Sequence, residues 1–467
     1  MKNNILLSGV LLSTLIACSE KEEAISTPNI IFILADDLGY GDLACYGQKF
    51  IKTPNLDRMA AEGMQFMQHY AGCTVSAPSR GSLMTGLHTG HSQIRGNKEI
   101  DPEGQHPLVK ETFTLGKMLK EAGYVTGIFG KWGLGYPGSE STPLMMGFDK
   151  FYGYNCQRMA HSYYPNYLWD NDNKVLLNGN KNRGCAVYSQ QLIHEKALSF
   201  IRDNKDKPFF AMLTYTLPHA ELNLPHDSVY QQYENSFDET FYDGTRGYYP
   251  VEKPRASFAA MVSRLDLYVG EVLSELKRLG IDDNTLIIFT SDNGPHEEGG
   301  ADPDFFQSYG PLKGLKRDVY EGGIRVPFIV RYPGKVNAGE KSDHISAFWD
   351  MMPTFAELVN VSIPESVHTD GISMLPTLLK RDGQKEHEFL YWEFHEIGGR
   401  VAVRKGDWKA VMLNAKKGIE QPIELYDLSK DIHEDNNLAN QYPEKVEKMR
   451  NLIKRAHRES DIFPFYK

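Results

Sequence analysis

Two acidic pairs in this sequence stand where a folded chain could deliver metal ligands. The apolar run 30–34 leads through Ala35 into Asp36-Asp37, and the run 286–289 leads into Ser291-Asp292-Asn293-Gly294. In open parallel sheets, ligands bind outside the carboxyl ends of strands. Asp36, Asp37, Asp292 and Asn293 delivered there would suit a hard cation such as calcium or magnesium, and no soft ligand accompanies them. Taken alone, Asp-Asp and Asp-Asn-Gly serve equally well as turn or cap residues. A third string, Ser76-Ala-Pro78-Ser-Arg80 through Gly86, puts a hydroxyl, a proline and an arginine at the start of a short helix. Proline is tolerated in the first turn, where the N–H it lacks has no partner anyway. Leu83 and Met84 follow Arg80 at helical spacing and Gly86 supplies a stop. A cation near a helix N-terminus opposes the macrodipole, so Arg80 answers to an anion. Ser76, if it caps the helix, shares a face with Arg80. As an isolated feature the string also fits a capped helix with a solvated arginine.

The longer match, Ser76-Ala-Pro-Ser-Arg80 followed by Leu83-Met-Thr-Gly86, resembles the signature of the formylglycine-dependent sulfatases. Within that family the chain is similar to the bacterial serine-type members near arylsulfatase A and N-acetylgalactosamine-6-sulfatase. The resemblance implies an alkaline-phosphatase-like α/β fold and a sulfuric ester hydrolase. It implies that Ser76 is oxidised to formylglycine (3-oxoalanine), a protein-derived cofactor, by a sulfatase-maturing enzyme of the anaerobic radical type. One calcium ion would then bind Asp36, Asp37, residue 76, Asp292 and Asn293. In the family, one oxygen of the hydrated aldehyde attacks sulfur and the other later expels sulfate. The matching positions here assign Arg80 to hold the hydrate and Lys131, in Gly130-Lys131-Trp132, to contact both hydrate and sulfate. His219, in Leu217-Pro218-His219, would bind sulfate and protonate the leaving sugar oxygen. Lys316 would be the second sulfate-binding lysine, with Lys313 and Arg317 as neighbouring cations. The chain departs from the pattern at one place. Many relatives carry histidine two residues after the first lysine, as the base that releases sulfate, and here that residue is Gly133. His88 and His91 are the nearest histidines along the chain to fill the gap.

The segment 148–165 resembles the insertion of the same bacterial sulfatases. Its aromatic rings suit apolar sugar faces, and its arginine and histidine suit hydroxyls or carboxylates. Arg158 and His161, with His296 after the Asp-Asn-Gly turn, are the expected substrate-binding residues. The implied substrate is a sulfated sugar or oligosaccharide of galactose or N-acetylgalactosamine configuration, losing a 6-O or 4-O sulfate. Two competing readings are a phosphomonoester or phosphodiester hydrolase of the alkaline phosphatase superfamily, and an inactive surface lipoprotein that only binds sulfated glycan. A single metal constellation opposes the first. Retention of every other cradle residue opposes the second.

These residues need a scaffold, and the pattern of the chain supplies one. Continuous apolar runs at 29–35, 125–129, 209–214, 285–289 and 328–330 read as strands covered on both faces. Helical periodicity intervenes at 55–62, 114–122, 188–203, 256–279 and 351–359, so a mostly parallel sheet between helices is expected. Residues 135–184 lack periodicity and read as an insertion that builds the substrate site, within a catalytic domain spanning 28–362. From 363 to 467 short runs at 389–394, 400–404, 408–412 and 424–426, then a helix at 444–459, indicate a smaller antiparallel sheet with one helix.

The chain has 467 residues, 41% hydrophobic and 11% aromatic, which is ample for a large core. Its net charge of −10, without a basic block, argues against nucleic acid as a partner. Residues 1–18 resemble a lipoprotein signal: an apolar run too short to span a bilayer ends in Leu15-Ile-Ala-Cys18, and 19–27 form a polar tether. The expectation is an exported bacterial lipoprotein, acylated on Cys18 and held at the outer membrane, on its periplasmic or outer face. Of the other cysteines, Cys45, Cys73, Cys156 and Cys185, the last two bracket one irregular region and are the favoured pair.

Overall fold

The computed structural model describes residues 27–466, so the lipobox with Cys18 and nearly all of the tether lie outside the described residues. A ten-stranded sheet forms the centre. Its middle strand, Asn29–Ala35, pairs in parallel with Thr285–Ser291 on one side and Phe209–Thr214 on the other. Val125–Lys131 and Lys150–Tyr154 continue the parallel run, and Phe328–Arg331 adds antiparallel to Thr285–Ser291. The mostly parallel sheet expected from the apolar runs is therefore present.

Every residue of Asn29–Ala35 is buried. The pleat sends Ile31, Ile33 and Ala35 into one apolar cluster and Ile30, Phe32 and Leu34 into another. Helices Ser189–Asp203 and Pro254–Leu279 cover the first face, through Ile193, Ala197, Val262 and Leu265. Helices Ser76–Thr85, Leu115–Glu121 and Met351–Leu358 cover the second, through Leu83, Leu119 and Phe355. Each buried Ile, Leu or Phe contributes about 1.5–3 kcal/mol relative to exposure. That outweighs the roughly 1 kcal/mol span of strand propensity, so burial on both faces places this strand.

The region 135–184 is more ordered than its composition suggests. It supplies Lys150–Tyr154, Tyr167–Asp170 and Asn173–Leu176, which extend the main sheet. The inner strand joins because Gly130 and Gly153 lie in register, and a Cβ on Gly153 would sit 1.9 Å from the Gly130 carbonyl oxygen. The outermost strand is largely exposed, which is why it carries no apolar pattern.

The C-terminal strands Leu390–Phe394, Arg400–Lys405, Trp408–Leu413 and Ile423–Asp427 form an antiparallel sheet. One face packs on helix Pro443–Ala456 through Val401, Val403, Met412, Met449 and Ile453. The opposite face packs Trp392, Phe394, Ala402 and Val411 against Tyr70, Cys73, Val75 and Trp349. The Trp392 indole N–H also donates to the Ala71 carbonyl at 2.9 Å. The second sheet thus clamps the segment that leads into helix Ser76–Thr85. Cys156 and Cys185 do not pair. All four described cysteines are free, Cys156 buried with its sulfur accepting from the Met159 N–H, and Cys185 exposed.

Candidate active site

The two central strands deliver their acidic ends side by side, because Ala35 and Ser291 are in register. Asp37 follows in a left-handed conformation (φ 61°), which turns the chain away from the sheet. Its N–H donates to Asp292 Oδ1 at 3.1 Å, and the Leu38 N–H donates to Ser291 Oγ at 2.9 Å. Asn293 Nδ2 donates to Asp37 Oδ1 at 2.7 Å. Asp36, Asp37, Asp292 and Asn293 are all fully buried.

Helix Ser76–Thr85 enters this cluster with its N-terminus, but Ser76 does not cap it. Val75 is the N-cap residue and makes no side-chain cap bond. Asn97 Oδ1 satisfies the free Ala77 N–H at 3.0 Å, which releases the Ser76 hydroxyl for other work. Ser76 Oγ donates to Asp36 Oδ1 at 3.1 Å and accepts from Lys131 Nζ at 3.2 Å. Arg80, one turn on, donates through Nε to Asp292 Oδ2 at 3.0 Å and through Nη1 to the Lys131 carbonyl at 2.9 Å.

Lys131 and Lys316 close the ring from opposite sides. Lys131 Nζ lies 2.6 Å from Asp36 Oδ2. Lys316 Nζ donates to Asp37 Oδ2 at 2.8 Å, to His219 Nε2 at 3.0 Å and to Glu298 Oε2 at 3.2 Å. His219 Nδ1 donates to the Ala220 carbonyl, which leaves Nε2 facing the lysine and Asp37. Burial raises the Asp36 and Asp37 carboxyls, yet the surrounding cations outweigh it and both are held below the usual range. Asp292 goes the other way, pushed up to about 6 by burial and by Asp36. Burial and Lys316 bring His219 down to about 4.

The other sequence-derived candidates divide. His161 joins the cluster: its ring stacks on His219 with centroids 4.5 Å apart and 22° between planes. Burial first, then the charges of His219, Lys131 and Lys316, hold its pKa well below normal. His296 is also drawn in, but behind His219. Its Nε2 donates to the Pro218 carbonyl and its Nδ1 accepts from the Glu298 N–H. Arg158 stays outside, half-exposed, donating to the Pro102 carbonyl at 2.9 Å near Glu99 and Asp101. His88 and His91 do not fill the gap at Gly133. Their rings stack on each other and are committed to Asp370, with His91 Nδ1 at 2.8 Å. Proximity along the chain had suggested them, but the turn after Gly86 carries them to the segment 368–370 instead.

Gly133 itself has a structural cause. Its φ is +75°, and a Cβ there would lie 2.1 Å from Gln157 Nε2. The Gln157 amide occupies the volume a side chain at 133 would need, and its Nε2 is buried without a partner among the described residues. Gln157 escaped the sequence reading, as did Glu298, which binds Lys316 and Arg317. Neither stands at a spacing that could single it out.

The donor set fits a hard divalent cation. It consists of oxygens only, and Asn293 Oδ1 is a buried acceptor with no partner among the described residues. Leaving such an atom unsatisfied costs about 1–3 kcal/mol, which coordination would relieve. Asp36, Asp37, Asp292 and Glu298 face Arg80, Lys131, Lys316 and Arg317, so the ionised cluster is near neutral. A divalent ion would tip it positive, which suits an anionic ester.

Known proteins resemble this chain along most of its length. The sulfatase family pattern matches residues 28–361, and that of the N-sulphoglucosamine sulphohydrolase C-terminal region matches 315–460. An N-acetylgalactosamine-6-O-sulfatase of Bacteroides thetaiotaomicron is 30% identical over 96% of this chain and 97% of its own. The Mus musculus N-acetylgalactosamine-6-sulfatase is 32% identical over 82% of this chain and 71% of its own. The crystal structure of Ps i-CgsB in complex with k-i-k-neocarrahexaose superposes with a TM-score of 0.77 at 30% identity, covering 92% of this chain and 93% of that one. The chain belongs to the sulfatase family and is a sulfuric ester hydrolase, as the signature string led us to expect.

Proposed function

We propose that this protein is a carbohydrate sulfatase that removes a 6-O or 4-O sulfate from galactose- or N-acetylgalactosamine-configured glycans, using a formylglycine made from Ser76 and one calcium ion. The observation that carries the reading is the convergence of Ser76 with Asp36, Lys131 and Arg80 on one side and of His219 with Asp37 and Lys316 on the other. Asp36, Asp37, Asp292, Asn293 and residue 76 would hold the ion. Bound there, calcium would polarise the sulfate oxygens, and the oxidised residue would supply the nucleophile that a serine hydroxyl does not. Lys131 holds residue 76 against the acidic strand ends, and Arg80 braces Asp36, Asp292 and the Lys131 carbonyl around it. Lys131 and Lys316, on opposite sides, offer positive charge to the developing anion. His219 Nε2 and Lys316 Nζ, 3.0 Å apart, form one proton path to the leaving sugar oxygen. The names of the relatives support the choice of sugar. Export and lipid anchoring at Cys18 belong to the same reading.

One preparation tests it. Protein made beside an anaerobic maturing enzyme is mapped by peptide mass at residue 76, stripped with chelator, reloaded with Ca²⁺ or Mg²⁺, and offered defined 2-, 3-, 4- and 6-sulfated monosaccharides. We expect turnover only of the modified form, lost on stripping and restored best by Ca²⁺, on 6- or 4-sulfated galactose-type sugars. Full activity with unmodified serine would end the formylglycine reading, and no galactose-type turnover would end the substrate choice.

A further inference from the structure

Two cavities of about 430 and 970 Å³ share Tyr164, Arg183, Cys185, Asn223 and Tyr249, and so form one groove. Its inner end is walled by Met159, Ser162 and Glu221. Ser162 follows His161 in the chain, and the Glu221 N–H donates to the His161 carbonyl at 2.9 Å. Glu221 in turn follows Ala220, the residue whose carbonyl accepts from His219. The groove thus shares its inner wall with the direct chain neighbours of His161 and Ala220, and it runs outward towards Leu224 and Lys253.

Arg183 stands at the junction of the two cavities. Asn182 and Arg183 are both left-handed (φ 57° and 64°), a backbone that costs non-glycine residues free energy and presents the arginine at the surface. Its side chain is exposed and makes no close ion pair or side-chain hydrogen bond among the described residues, the Glu221 carboxyl of the same groove feeling its charge only at longer range. The walls beside it, Tyr164 and Tyr249, are half-buried aromatic rings of the kind that carry sugar faces. The molecule's overall charge of −10 repels a polyanion, so any second anionic group must be met by a local cation.

We propose that this groove is a second-sugar subsite, in which Arg183 pairs with a carboxylate or sulfate on the sugar adjoining the one being desulfated. The enzyme accordingly prefers anionic oligosaccharides to monosaccharides. The proposal rests on the reading of the site as a sugar sulfatase. The guanidinium fork matches either anion, and the substrates chosen for the test separate the two.

Matured wild type, Arg183→Gln and Arg183→Lys are compared on a sulfated monosaccharide and on three disaccharides whose second sugar is neutral, carboxylated or sulfated. Calorimetry with the desulfated disaccharides is run in parallel on the serine form, which needs no maturation. We expect Arg183→Gln to raise KM about tenfold for one or both anionic disaccharides with kcat unchanged, and to leave the monosaccharide and the neutral disaccharide alone. Arg183→Lys should recover part of the loss, and calorimetry should show the same ranking. Turnover of all four substrates with the same KM in wild type and Arg183→Gln would overturn the subsite while leaving the sulfatase reading intact. Absence of any turnover by wild type would strike the sulfatase reading. In that case Arg183-independent binding by calorimetry would strike the subsite as well.

Discussion

At the scale of the residue, Gly133 and Gln157 behave as one decision. The left-handed backbone at 133 disfavours a side chain, and the Gln157 amide, 2.1 Å from the absent Cβ, would have to swing aside to admit one. Restoring the family's histidine should therefore harm the protein. Gly133→His is expected to cost about 1–3 kcal/mol from overpacking, with roughly 1–2 kcal/mol more for the left-handed conformation. The double variant with Gln157→Ala should regain the first part and not the second. Urea denaturation of the three proteins measures this, and an unchanged midpoint for the single variant would refute the packing argument. The acidic residues of the site were legible because they end apolar strands, where position along the chain is position in space. His88 and His91 were misread because the turn after the helix breaks that relation. Gln157 and Glu298 carried no signal, since their contacts are made with residues brought together only by folding.

Elements show the same division. Strands buried on both faces announce themselves as unbroken apolar runs, and the long helix Pro254–Leu279 shows its stripe from Phe258 to Leu276. Its predicted start at 256 falls two residues late, because Pro254 opens the first turn without needing an N–H. Residues 135–184 were opaque because an edge hairpin has one wet face and two glycines, rather than apolar side chains, set the approach of its inner neighbour. The helix that presents Ser76 was correctly placed, but its capping was not. Val75 makes no cap bond and Asn97, distant in sequence, takes the free N–H.

Across the whole molecule, the second sheet is part of the first body's packing. Asp350, at the start of helix Met351–Leu358, accepts from the Ile372 N–H and lies 2.8 Å from His387 Nε2, just before strand Leu390–Phe394. Burial would lower the His387 pKa, but Asp350 outweighs it and holds the imidazole above its ordinary 6.5. A raised folded pKa contributes stability that is complete below 6.5 and is lost as pH rises through the raised value. Wild type should therefore lose more stability than His387→Gln between pH 6 and pH 9, as read by urea denaturation at both. Equal losses would show that this pair does not join the two sheets energetically.

The burial of Ser76 has a consequence for the order of events in the cell. Its side chain is 2% exposed, its helix is wholly buried, and the C-terminal sheet lies across the residues that lead into it. No second protein could grip that hydroxyl once strands 390–427 have docked. On the proposed formylglycine reading, oxidation of residue 76 has to come while the chain is still emerging or unfolded, so the last strands to be synthesised act as a deadline. Folded serine-form protein incubated with its maturing enzyme should keep the mass of serine at residue 76, whereas a denatured peptide containing 73–86 should not. On that reading, a molecule that folds first is left intact in shape and without its nucleophile.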